Sequence, residues 1–171
     1  MEFFETLRAR RSIRAFNGCP VEPAKLEAIL EAANRAPSAG NLQAYEIYVT
    51  VEAKCRAALA RGAGGQEFIR QAPAALVFCT HPERAAVKYG QRGMRLYAIQ
   101  DATVACAFAM LAATALDLAT VWVGAFDTDA VRRAIGAPDT VEPVAILPVG
   151  YAAENPAPTT RRPPGDIVHW V

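Results

Sequence analysis

Neither sign of charge dominates this chain of 171 residues, because 18 Lys and Arg face 17 Asp and Glu for a formal net charge of +1. Nucleic acids and anionic lipid surfaces attract a basic excess, and none is present, so neither is expected as a partner. Paired cysteines are also missing. Cys19, Cys55, Cys79 and Cys106 form no C-x-x-C pair, and His81 and His169 stand near none of them at ligand spacing. That pattern argues against a zinc site and a disulfide framework, and for reduced thiols. Long apolar runs are short too. Ala102 to Leu116 is the most apolar stretch, bounded by Asp101 and Asp117, and it falls below the roughly 20 residues that cross a bilayer. The opening Met-Glu-Phe-Phe-Glu-Thr carries acid where a secretion signal carries base. The expectation is a cytoplasmic protein with no metal and no membrane partner.

What the chain has is alanine. Apolar residues make up 53% of it, and 36 of its residues are Ala, so the composition favours close-packed helices over large greasy patches. One domain spanning residues 1–171 is expected at this length. A first helix is predicted over Phe3–Arg11, with Phe3, Phe4 and Leu7 on one side and arginines at its end. A second starts at Pro23, carries Leu26, Ile29, Leu30 and Ala33 at i, i+3, i+4 and i+7, and stops at Pro37. Strands are predicted over Tyr45–Val51, Ala74–Thr80, Ala119–Phe126 and Pro143–Val149. Helices are predicted over Glu52–Ala60, Met94–Leu116 and Thr128–Ile135, the last capped by Asp127 and closed by Gly136. Arg61–Gln66 reads as a flexible break and His81–Gly93, polar and punctuated by glycine, as a mobile loop. Asn155–Pro164 is proline-rich and therefore extended, and Asp166–Val171 is expected as a terminal turn or strand. Helices and strands are mixed without a βαβ repeat, so the fold class is α+β. On the longest helix, Ala98, Ala102, Ala105, Ala109 and Ala112 form a seam that lets a second helix approach closely, from this subunit or a partner.

Four segments carry candidate chemistry. Arg10-Arg-Ser-Ile-Arg14 puts three guanidiniums and a hydroxyl within five residues, a donor set suited to phosphate oxygens. If it runs extended, Arg10, Ser12 and Arg14 share one face and Arg11 and Ile13 the other. Ala36-Pro-Ser-Ala-Gly-Asn-Leu-Gln43 offers Ser38, Asn41 and Gln43 among small residues that permit close backbone approach, and amides suit the edge of a heterocycle. Trp122-Val-Gly-Ala-Phe126 leaves backbone N–H groups open at Gly124 and Ala125. Arg161 and Arg162 lie in the tail. Arg61–Gln66 lacks the Lys-Ser/Thr pair of a phosphate loop, so no such site is expected there.

These pieces, with Tyr97-Ala-Ile-Gln-Asp101, Pro148-Val-Gly-Tyr151 and Arg161-Arg-Pro163 before Ile167-Val-His-Trp170, resemble the nitroreductase family of flavin enzymes along essentially the whole chain. The resemblance implies an α+β sandwich in which helices flank a central, mostly antiparallel sheet, with the long central helix at the interface of a homodimer. It implies FMN held non-covalently between the subunits and NADH or NADPH as electron donor. On that pattern Arg10, Ser12 and Arg14 hold the phosphate and ribityl chain, and Arg11 adds contacts. Pro37, Ser38, Ala39, Asn41 and Gln43 come from the partner subunit to the flavin. Trp122, Val123, Gly124 and Ala125 run along one ring face, with a backbone N–H near N5. Arg161, with Arg162 beside it, reaches the phosphate or the N1–O2 edge.

The implied reaction is ping-pong, from the donor through flavin N5 to a nitroaromatic, quinone or enone, with no obligatory acid–base residue. Tyr89, Arg92, Arg95 and Tyr97 are candidates to line the acceptor site. The chain departs from the pattern at Ala44 (often Pro), at Thr159 (often Lys) and at Ala119 (often Gly). The missing lysine keeps open a non-catalytic FMN-binding or flavin-sensing dimer. Specialised relatives such as a reductive dehalogenase carry lid insertions for which residues 81–93 leave little room. The physiological acceptor and the preferred nicotinamide are not legible in the sequence.

Overall fold

The computed structural model describes all 171 residues. In chain order the elements are α1 (Phe3–Ala9), α2 (Pro23–Asn34), β1 (Tyr45–Thr50), α3 (Ala53–Gly62), α4 (Phe68–Gln71), β2 (Ala74–Thr80), α5 (Pro82–Arg92), α6 (Ala98–Ala115), β3 (Ala119–Thr120), α7 (Thr128–Ala134) and β4 (Glu142–Gly150). The four strands form one antiparallel sheet in the order β1-β2-β4-β3. The α+β class expected from the sequence is the one observed.

β2 is buried along its whole length because both faces of the sheet are covered. Its Leu76 and Phe78 point into a core shared with Ile29 and Ala33 of α2 and Ala102, Ala105 and Ala109 of α6. Its alternate residues Ala75, Val77 and Cys79 enter a second core with Leu59 of α3 and Val131 of α7. The fold is thus three layers, with α2 and α6 on one face and α3 and α7 on the other.

The sequence-based boundaries need several corrections. His81–Gly93 is no loop. Pro82 opens α5 at its first turn and the His81 imidazole accepts from the Arg84 N–H. The pattern hid this helix because its i, i+3, i+4 and i+7 positions hold Pro82, Ala85, Ala86 and Tyr89, small or polar-tipped residues of which only Ala85 is buried, so the stripe reads as weakly apolar. Gly90, at φ 53° and ψ −139°, turns the chain, a backbone that costs glycine alone little. A π-helical turn over Gly93–Tyr97 then leads into α6. This helical run has the length and apolar composition of a membrane span, but its alanine seam is packed inside the domain.

The expected strand Ala119–Phe126 shrinks to Ala119–Thr120 plus one bridge from Val123 to Ile146. Val121 and Val123 fill the second core with Phe126 packed against it, and Val121 does so without pairing in the ladder. α1 stops at Ala9 rather than Arg11, α3 continues to Gly62 into the expected break, and α4 is an element the pattern did not reveal. Past the 3₁₀ turn Pro164–Asp166 the tail forms neither helix nor strand.

The seam on α6 is occupied by its own chain. Ala98, Ala102, Ala105 and Ala109 are fully buried, and Ala113 replaces Ala112 as the fifth buried position, the drift of a 3.6-residue helix against a 3.5-residue repeat. α2 and the sheet fill it from Ala102 onward, and Ala44 and Ala85 cover Ala98, so of the two expected occupants it is this subunit, and not a partner, that packs on these alanines. The surface left bare lies elsewhere: Phe3, Phe4 and Leu7 of α1, and Ile99 and Phe108 of α6, are exposed.

Candidate functional site

The backbone of Arg10–Arg14 is held against β3 by the Ile13 N–H, which donates to the Thr120 carbonyl at 3.0 Å, and by a bridge between Ser12 and Thr120. Ile13 points into the protein while Ser12 and Arg14 point out, as an extended segment requires. Arg11 reaches back to the carbonyls of Arg8 and Arg10 at the end of α1. The Glu154 carboxylate accepts from the N–H groups of Arg14 and Ala15 and so ties the start of the tail to this segment.

The result is a cavity of about 360 Å³ walled by Arg8, Arg10, Arg11, Ser12 and Arg14 on one side and Pro156–Thr159 and Arg161 on the other. Five arginines and no carboxylate line it. Burial, then the nearby charges of Arg161 and Arg11, push the Arg10 guanidinium below its usual pKa. Like charges gathered in a half-buried space favour an anion as occupant. In the tail, the Thr159 hydroxyl accepts from Arg161 Nη1 at 2.6 Å, so the residue found in place of lysine steadies the remaining cation. Arg162 turns away and donates to the Asp166 carbonyl at 2.7 Å. It is not part of the cavity wall.

Trp122–Ala125 leaves the sheet just past β3. Val123 spends its N–H and carbonyl on Ile146 at 3.0 and 2.9 Å. Gly124 and Ala125 are exposed and their N–H groups donate to nothing within the chain. The Ala125 carbonyl accepts from Gln66 Nε2 at 3.1 Å, which fixes this turn to the segment before α4.

The loop from Pro37 to Gln43 lies apart from the arginine cavity and contributes nothing to its wall. It is tightly bound to the other end of the fold. Gly40, Asn41 and Gln43 all have positive φ, at 57°, 59° and 49°, and for the last two that backbone costs of order 1 kcal/mol or more each. The Ser38 hydroxyl accepts from the Gln43 N–H at 3.0 Å. Asp101 of α6, 4% exposed, accepts from the Ala39 N–H at 2.9 Å and the Ala44 N–H at 3.2 Å. From α5, Arg84 Nε donates to the Leu42 carbonyl. A side chain at Gly40 would sit 2.6 Å from the Tyr89 hydroxyl, so α5 covers the loop closely.

Beside that loop the structure collects three of the four residues singled out around the turn. Tyr89 and Tyr97 meet edge to face at 5.0 Å, and Arg92 lies over the Tyr97 ring and donates to its hydroxyl at 2.9 Å. Arg95 stays exposed and outside this cluster. Sequence reading placed Asp101 only in a motif. Its hold on the loop was illegible because its partners are backbone N–H groups, 57 and 62 positions away.

The family model of the nitroreductase family matches residues 7–151. A protein named NADH dehydrogenase from Thermus thermophilus is 31% identical, over 94% of this chain and 92% of its own. A protein of Bacillus subtilis named FMN reductase [NAD(P)H] is 30% identical over 98% of this chain and 73% of its own. Among solved structures, NfrA2 of B. megaterium superposes with a TM-score of 0.90 at 28% identity, covering 99% of this chain and 74% of its own.

Proposed function

The chain belongs to the nitroreductase family, and we propose that it is an FMN-dependent NAD(P)H oxidoreductase that works as a homodimer. The observation that carries this reading is the arginine cavity. Its volume of about 360 Å³ is of ligand-site size, and its forked donors suit a phosphomonoester. Arg10, Ser12 and Arg14 hold the phosphate and the start of the ribityl chain, with Arg11 and Arg161 closing round them. The free N–H groups of Gly124 and Ala125 would lie along the ring system and donate to its acceptor atoms, fixing the orientation of the ring. When bound, FMN would supply the hydride chemistry that links NAD(P)H to an electron-poor nitroaromatic, quinone or enone.

The protein supplies position and charge, and no side chain in the set is required as an acid or base. Tyr89, Tyr97 and Arg92 form a wall beside the 37–43 loop, suited to a planar acceptor.

Two features support the homodimer. The arginine cavity and the 37–43 loop stand apart within one chain, so a partner's loop completes the site. α1 and α6 also expose Phe3, Phe4, Leu7, Ile99 and Phe108, and the tail leaves Ile167, Val168 and Trp170 exposed, apolar surface of the kind an interface covers.

Steady-state kinetics test the reaction. With donor and acceptor both varied, double-reciprocal plots should give parallel lines, and gel filtration should give twice the chain mass. Intersecting lines rule out the ping-pong order, a monomer rules out the shared site, and FMN binding with no turnover selects the non-catalytic dimer.

A further inference from the structure

We propose that Asp101 is the positioning residue of the flavin site, holding the Ala39–Ala44 turn in its strained form before any ligand arrives. This rests on the flavin reading above. Asp101 lies in the first turn of α6, the most deeply buried helix, and no cation lies within ion-pair distance of it. A buried carboxylate without a cation is costly unless hydrogen-bonded, and here both oxygens are used, one on each end of the same turn.

The geometry makes the two bonds a clamp. Ala39 and Ala44 bracket Gly40, Asn41 and Gln43, the three residues with left-handed backbone. Two of them bear side chains and would relax to negative φ if the ends were free. Ser38 and Arg84 steady the middle of the turn through Gln43 and Leu42 and the His81 N–H donates to the Ala44 carbonyl at 2.9 Å, whereas Asp101 is the one side chain that joins both ends of the turn to α6. Because α6 also packs on β2 and β4, the carboxylate transmits the rigidity of the core to the loop that is to touch the flavin.

Asparagine is the informative replacement. An amide of the same shape keeps one acceptor oxygen and presents an NH₂ to the other backbone N–H, so only one of the two bonds survives. In Asp101→Asn the dissociation constant for FMN should rise tenfold or more, and the absorption bands of the bound flavin should move towards those of free FMN. Asp101→Ala should lose more. A carboxylate needed only for folding would lower Tm while leaving, well below Tm, the affinity and the flavin spectrum as in wild type. That outcome overturns the proposal.

Amide exchange on the FMN-loaded wild-type protein tests the clamp without any substitution. The Ala39 and Ala44 amides should exchange at least tenfold more slowly than that of Gly40, which has no partner in the chain. Equal rates contradict the clamp. A wild-type protein that takes up no FMN removes the flavin reading instead, a result distinct from either of these.

Discussion

Replacing both Arg10 and Arg14 by alanine should weaken FMN binding by about 10²- to 10⁴-fold, since each lost charge-assisted hydrogen bond to phosphate is worth about 1.5–3 kcal/mol. The two guanidiniums line one cavity and no carboxylate in its wall competes for them. Their loss also relieves repulsion within the cluster, which should leave the folded protein no less stable. Flavin fluorescence on titration measures the affinity directly. Arg133→Ala, an exposed arginine on α7 outside the cavity, is the control and should change it less than twofold. Equal affinity in the double variant and the control would mean that the phosphate is held elsewhere.

Gly93→Ala should destabilise the fold by about 3 kcal/mol, near the top of the usual range for overpacking, and lower Tm by about 6–12 °C in a chain of this size. A Cβ at Gly93 would lie 2.5 Å from the Ala85 carbonyl oxygen, 2.8 Å from its carbon and 2.9 Å from Tyr89 Cβ. The first two are backbone atoms of α5 and cannot rotate away. Gly93 is therefore where the chain, reversed at Gly90, packs back on α5. Relieving the clash moves α5 and with it the Tyr89–Tyr97 pair, so acceptor KM should rise as well. Gly165→Ala, where nothing lies within 4 Å, should shift Tm by less than 2 °C. A Gly93→Ala protein as stable as that control contradicts the close packing of the turn.

The parts of the fold that were legible in the sequence are those whose burial follows a simple period. β2 is an unbroken apolar run because both its faces are covered, and α2 shows its stripe because one face meets α6. α5 escaped detection because its contacts are made by Ala85 and Gly93 and by polar side chains over a loop. β3 was overextended because apolar content marks burial and not pairing. For the site, the arginine segment was readable from donor chemistry alone, whereas Asp101 was not, since a carboxylate that binds backbone N–H groups leaves no partner residue to find. The alanine seam was readable as a close approach, but its occupant turned out to be α2 and the sheet.

The FMN-loaded protein is kept free of oxygen and titrated with NADPH or NADH while its visible spectrum is followed. The visible flavin band should bleach with about one equivalent of donor per bound FMN, and a nitroaromatic or quinone should then restore it. A bound flavin that keeps its colour with both nicotinamides would contradict the assignment of this chain as an NAD(P)H oxidoreductase.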